Sequence, residues 1–187
     1  ELVDLTVTKP AQVEGKRIVG QTVTGTPATF SDPEAEVTSY WVIDGERSDR
    51  TGTTLELDDD LVGSSIRYLS VAERDEDGAT AESSSEDQVG PVLAKVAVKT
   101  PTTLSGKAQV GKTLTATPAT FEGGEITVEG SWWADGEKLD QGGASLPLTE
   151  ELEGAVITFR ATASRSVDGI DEQKTSEASS DPVAAAD

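Results

Sequence analysis

The sequence predicts an all-β chain made of two copies of one small domain, and three observations carry that prediction. The stretch VGQTVTGTPATF that begins at Val19 returns as VGKTLTATPATF beginning at Val110. Short runs of β-branched and aromatic residues are broken by turn signals at intervals of about 8–12 residues, with no helical period of useful length. The 187 residues divide into two units of about 90, each large enough to bury a modest core of its own.

A constant shift of 91 extends the match well beyond the opening motif. Gly20 falls on Gly111, Pro27 on Pro118, Phe30 on Phe121 and Trp41 on Trp132. The turn Asp44, Gly45, Glu46 meets Asp135, Gly136, Glu137. Leu55 and Leu57 meet Leu146 and Leu148, Leu61 meets Leu152, Gly63 meets Gly154 and Ile66 meets Ile157. Tyr68 falls on Phe159, and Asp77, Gly78 on Asp168, Gly169. No insertion is needed, so the copies are expected to share one backbone. The domains are read as 1–92 and 93–187, with Val89–Val92 (VGPV) as the linker, since Gly and Pro interrupt the pattern where the first copy ends.

In chain order, the first copy offers strands over Leu2–Thr8, Arg17–Thr26, Val37–Ile43, Thr53–Leu57, Ser64–Glu73 and Ala79–Ser84. The Asp-Gly pairs at 44, 77, 135 and 168 have the chemistry of tight hairpin turns, because Gly accepts a positive φ and Asp tolerates one. Gly142 and Gly143 read as turn residues, since no Lys-Ser/Thr follows them as a phosphate loop requires.

Composition narrows the function classes. The formal net charge is -20, and both copies are acidic: 20 acids against 7 bases in 1–92, and 15 against 8 in 93–187. Such a surface repels nucleic acid and anionic membranes, and it favours solubility. Cys and His are absent, which removes disulfides, thiolate chemistry, imidazole bases and the usual zinc ligands. No apolar run reaches the length of a membrane helix. Met is also absent, even at position 1, so the chain is expected to be a processed product or a segment of something longer.

The residues offer material for three kinds of site. The acidic runs Asp58, Asp59, Asp60 and Asp75, Glu76, Asp77 could supply a glycosidase carboxylate pair, but they fall in loops and read as solvated. Asp75, Asp77, Gly78 and Asp168, Asp171, Glu172 could supply oxygen ligands for calcium, although neither matches the EF-hand spacing. No catalytic residue, metal site or cofactor is therefore expected, and the chain reads as no enzyme. For a sugar or protein contact, six of the eight aromatics pair across the copies as core, which leaves Tyr40 and Trp133. Strand side chains alternate faces, so with Trp132 inward Trp133 points outward, where the first copy has Val42. These two residues are the interface candidates. Lys95, Lys99, Lys107 and Lys112 make the less acidic second copy the expected docking end.

Val19–Phe30, Tyr40–Glu46, Leu55–Gly63 and Ile66–Tyr68, with their partners at plus 91, resemble bacterial and phage immunoglobulin-like domains. That resemblance implies two tandem seven-strand immunoglobulin-like β-sandwiches without disulfides, in which Trp41 and Trp132 fill the cores beside Phe30 and Phe121. It also implies a role without catalysis: an accessory module on the exterior of a tailed-phage particle, on capsid or tail, attached to other virion proteins. The alternative it implies is a bacterial cell-surface adhesin or carbohydrate-binding stalk, with host glycans as partners.

Overall fold

The computed structural model describes residues 3–187 and shows an all-β chain whose named strands pair antiparallel, with isolated parallel bridges at Ile18–Leu93 and Gln109–Ala184. Leu2, at the start of the first expected strand, lies outside the described residues. The chain forms two compact units, 1–94 and 95–187.

The first unit contains β1 (Val7–Lys9), β2 (Gln12–Gly15), β3 (Thr22–Thr26), β4 (Thr29–Phe30), β5 (Glu36–Ile43), β6 (Glu46–Arg47), β7 (Thr54–Glu56), β8 (Ile66–Arg74) and β9 (Ala79–Ser84). Strands β2-β3-β7 form one sheet, β6-β5-β8-β9 a second, and β1 pairs with β4. The second unit repeats this order with β10 (Ala97–Thr100), β11 (Thr103–Ser105), β12 (Thr113–Thr117), β13 (Thr120–Glu122), β14 (Thr127–Ala134), β15 (Glu137–Lys138), β16 (Ser145–Pro147), β17 (Val156–Val167) and β18 (Ile170–Pro182).

Among the described residues each unit has nine strand segments where seven strands are expected, and the difference follows from proline placement. Pro10 and Pro101 interrupt the first strand, and Pro27 and Pro118 the next. Proline has no N–H for a ladder, so at each break the chain changes partner. Thus β1 bonds β4 while β2, just past Pro10, bonds β3. The expected strand Arg17–Thr26 begins later, at Thr22, because Gly20 (φ 85°) lies in a turn and the Gln21 amide donates to the Ile18 carbonyl.

The expected linker is instead part of the first unit. Val89 and Val92 are buried in its core, the Val92 amide donates to the Ser64 carbonyl, and the Leu93 amide donates to the Arg17 carbonyl.

Each core is shared by the two larger sheets. In the first unit Val13, Val23 and Leu55 meet Trp41, Ile66 and Tyr68; in the second, Leu114, Ala116 and Leu146 meet Trp132, Ile157 and Phe159. Trp41 lies 4.7 Å from Tyr68 and Trp132 lies 4.8 Å from Phe159, centroid to centroid. Phe121 packs against the Trp132 cluster as expected, but Phe30 does not join Trp41. It belongs to a separate cluster with Leu5, Ala11, Ala28, Ala35 and Ala72.

The two cores satisfy equivalent polar groups differently. Trp132 Nε1 donates to the Gly143 carbonyl at 2.9 Å. At the corresponding Gly52 carbonyl the donor is Tyr68 Oη, at 3.3 Å, and Trp41 Nε1 has no partner among the described residues. Phe159 has no hydroxyl to compete. Tyr68→Phe is therefore expected to free the Gly52 carbonyl for Trp41, and the exchange of one hydrogen bond for another should change stability by less than about 1 kcal/mol. Denaturant unfolding together with the Trp41 indole N–H resonance checks this; a loss above about 2 kcal/mol would exclude the exchange.

The backbones diverge at the last hairpin. Asp168 (φ 53°) and Gly169 (φ 73°) form a two-residue turn, which closes on the pair Val167 and Ile170. Asp44-Gly45 and Asp135-Gly136 also have both residues at positive φ. Asp77 does not. The first unit closes on Arg74 and Ala79, with Asp75–Gly78 as a four-residue loop. Asp77 is drawn out of the turn by its own side chain, which accepts from Arg74 Nη2 at 2.8 Å and from the Ala79 amide at 3.0 Å. Relative to β8 and β17, the returning strands β9 and β18 therefore differ in register by two residues. The first unit takes up the difference between Ser84 and Val89, where Arg67 Nη1 donates to the Ser85 and Glu86 carbonyls.

Candidate functional site

On β14, Trp132 is fully buried and Trp133 is half-buried on the opposite face, as alternation requires. The cross-strand neighbours of Trp133 are Thr158 on β17 and Lys138 on β15. The Arg160 guanidinium lies over the Trp133 ring, with Cζ 4.2 Å from the centroid. Arg160 Nε donates to Glu177 Oε2 at 2.8 Å, and Trp133 Nε1 donates to Ser131 Oγ at 2.9 Å. The indole is thus partly covered by its own sheet and fixed at both its face and its edge.

Tyr40 heads a similar group on the first unit. Arg47 Cζ lies 4.8 Å from the Tyr40 centroid, and Arg47 Nη2 donates to Glu82 Oε1 at 2.9 Å. Leu69, opposite Tyr40 in register, is 8% exposed. An exposed cation–π contact contributes about 0.5–1 kcal/mol, and an exposed ion pair about the same or less. Their effect here is to restrict rotamers on an otherwise polar face.

The two groups arise from non-corresponding positions. Trp133 corresponds to Val42, Tyr40 to Ser131, and Arg160 to Leu69. The 91-residue match identifies the aromatic members by their difference, but it gives no signal for Arg47, Arg160, Glu82 or Glu177. What the match does contain, and composition alone obscures, is Arg74 falling on Arg165. Both are 6% exposed.

No family model and no curated protein matches the chain.

The acidic runs lie in a 3-10 turn and a hairpin loop. Asp59–Leu61 is one 3-10 turn that buries Leu61 against the Trp41 cluster, and Glu150–Leu152 is its counterpart. Arg50 Nη1 lies 2.8 Å from Asp58 Oδ2 and holds that carboxyl below its ordinary range. Asp75 and Glu76 are exposed. Asp77 is bound by Arg74, which keeps its carboxyl at about 2. Glu172 is bound by Arg165. Among the described residues no group of three or more His, Cys, Asp or Glu side chains is placed to hold a metal ion. The structure thus does not gather the calcium candidates Asp168, Asp171 and Glu172 into a ligand set. Lys95, Lys99, Lys107 and Lys112 are all exposed: Lys95 just before β10, Lys99 on it, and Lys107 and Lys112 in the connection between β11 and β12.

Proposed function

We propose that the chain is a non-enzymatic accessory protein of a tailed-phage particle, an immunoglobulin-like tandem displayed on the virion exterior and attached to another virion protein through the outer face around Trp133. The observation that carries this reading is the Trp133–Arg160–Glu177 group. Trp and Arg are the side chains most enriched at interface hot spots, and here they are fixed in advance, which lowers the entropy lost on docking. The net charge of -20 supports display toward solvent.

Trp133→Ala is expected to leave thermal unfolding nearly unchanged while weakening attachment to purified particles by about 30-fold, the equivalent of roughly 2 kcal/mol at a hot spot. Tyr40→Ala serves as the comparison on the other unit. Co-sedimentation with virions measures the effect. Loss of folding in Trp133→Ala would make the indole a packing residue. Specific glycan binding abolished by the same substitution would favour the surface-adhesin reading, for which the hydroxyls of Thr158, Thr162, Thr175 and Ser179 on this face offer partners.

A further inference from the structure

Arg74 and Arg165 occupy corresponding positions at the ends of β8 and β17, and both guanidiniums are buried. In the first unit Arg74 donates from Nε and Nη2 to Asp77, at 3.0 and 2.8 Å. From Nη1 it donates to the Val3 carbonyl at 3.0 Å and to Asp32 at 3.4 Å. One side chain thereby joins the β8–β9 hairpin, the segment leading into β1, and the loop after β4.

Arg165 and Glu172 together join the same three places. It donates to Glu172 across the hairpin and to the Gly123 and Gly124 carbonyls after β13. Glu172 Oε1 in turn accepts from the Val96 amide, at 3.4 Å, just before β10. Leu5 and Val96 correspond to each other, and both are 9% exposed. The hairpin register has shifted and the acid has moved, yet the arginine is still linked, now through Glu172, to the lead-in to the first strand.

Replacing a buried ion pair by apolar side chains is often neutral or stabilising, so stability alone does not account for these two arginines. Both reach, Arg165 through Glu172, the start of a strand with few pairs. β1 matches β4 through only two residue pairs, with a break in register between them, and β10 matches β13 through three.

We propose that each buried arginine is a clasp that makes the first strand of its unit a separately releasable strap: opening the clasp frees that strand while the two larger sheets stay folded. Acid is not the natural release, because Asp77 remains ionised until the pH falls through about 2; the contribution of the pair is complete above the ordinary carboxylate range.

Hydrogen exchange of the full chain tests the proposal with Arg74→Met, which keeps the bulk of the stem. The Thr6 amide donates to Ser31 Oγ and the Ser31 amide to the Thr6 carbonyl, so these two report on the strap. The amides of Gly25, Leu57 and Ile66 report on the larger sheets. Exchange at Thr6 and Ser31 is expected to rise about tenfold or more with the other three unchanged, as in a local opening. Arg165→Met should do the same at Val96–Thr100. An equal rise at all five amides of the first unit, or no rise at Thr6 and Ser31, would overturn the proposal. Should Arg74→Met fail to fold, Asp77→Asn keeps the arginine and weakens the clasp, and the same selective rise is required of it.

Discussion

Trp132→Ala is expected to unfold the second unit at a temperature lower by more than about 10 °C, while the transition of the first unit stays in place. Trp132 is fully buried, lies 4.8 Å from the Phe159 ring, and ties the Gly143 carbonyl to the core. Truncating a buried Trp removes its transfer free energy and leaves a cavity that neighbours fill only partly, at about 3–5 kcal/mol. In a domain of this size each kcal/mol corresponds to roughly 4–8 °C. Each unit has its own core, so calorimetry should show one displaced transition and one unchanged. A parallel fall of both would show that the units unfold together. The adjacent Trp133→Ala provides the contrast: similar in sequence, opposite in face, and small in effect on stability.

Gly25→Ala is expected to destabilise the first unit by about 1–3 kcal/mol through overpacking alone. A Cβ at Gly25 would stand 2.4 Å from Tyr68 Cδ2, and the backbone there has no positive φ to blame. The second unit shows how the same ring can be housed otherwise. Its counterpart of Gly25 is Ala116, and the glycine against Phe159 is instead Gly130, where a Cβ would stand 2.6 Å from Phe159 Cζ. Gly130 corresponds to Ser39. Moving the gap in the first unit, with Gly25→Ala and Ser39→Gly together, should recover part of the loss. A coupling of at least about 0.5 kcal/mol in a double-mutant cycle would establish the exchange. Strictly additive effects would show that Tyr68 cannot shift toward Ser39.

The all-β class, the repeat and both buried tryptophans were legible because each is written in residue type at fixed spacing. Other features were hidden for physical reasons. β2 has Val13 as its single buried residue, too short an alternation to register as a strand. Phe30 and Phe121 match in sequence yet pack differently, Phe30 with Leu5 and Ala72 and Phe121 against the Trp132 cluster, a difference that residue type at matched positions does not carry. The stacks at Tyr40 and Trp133 depend on arginines brought close by strand pairing or a turn, and no one-dimensional pattern marks those. Asp77 has the sequence of a tight turn, but its carboxylate is taken by Arg74.

The displaced register of β9 and β18 has a consequence in the arithmetic of the pleat. Side chains repeat every two residues along a strand, so a slip of one would turn every inward residue outward, whereas a slip of two returns each to the face it left. The hairpin joining the last two strands can therefore lengthen or shorten by even steps without inverting the core. Odd steps are closed to it unless a bulge restores the parity. A slip of this pairing at constant chain length is thus confined to pairs of residues.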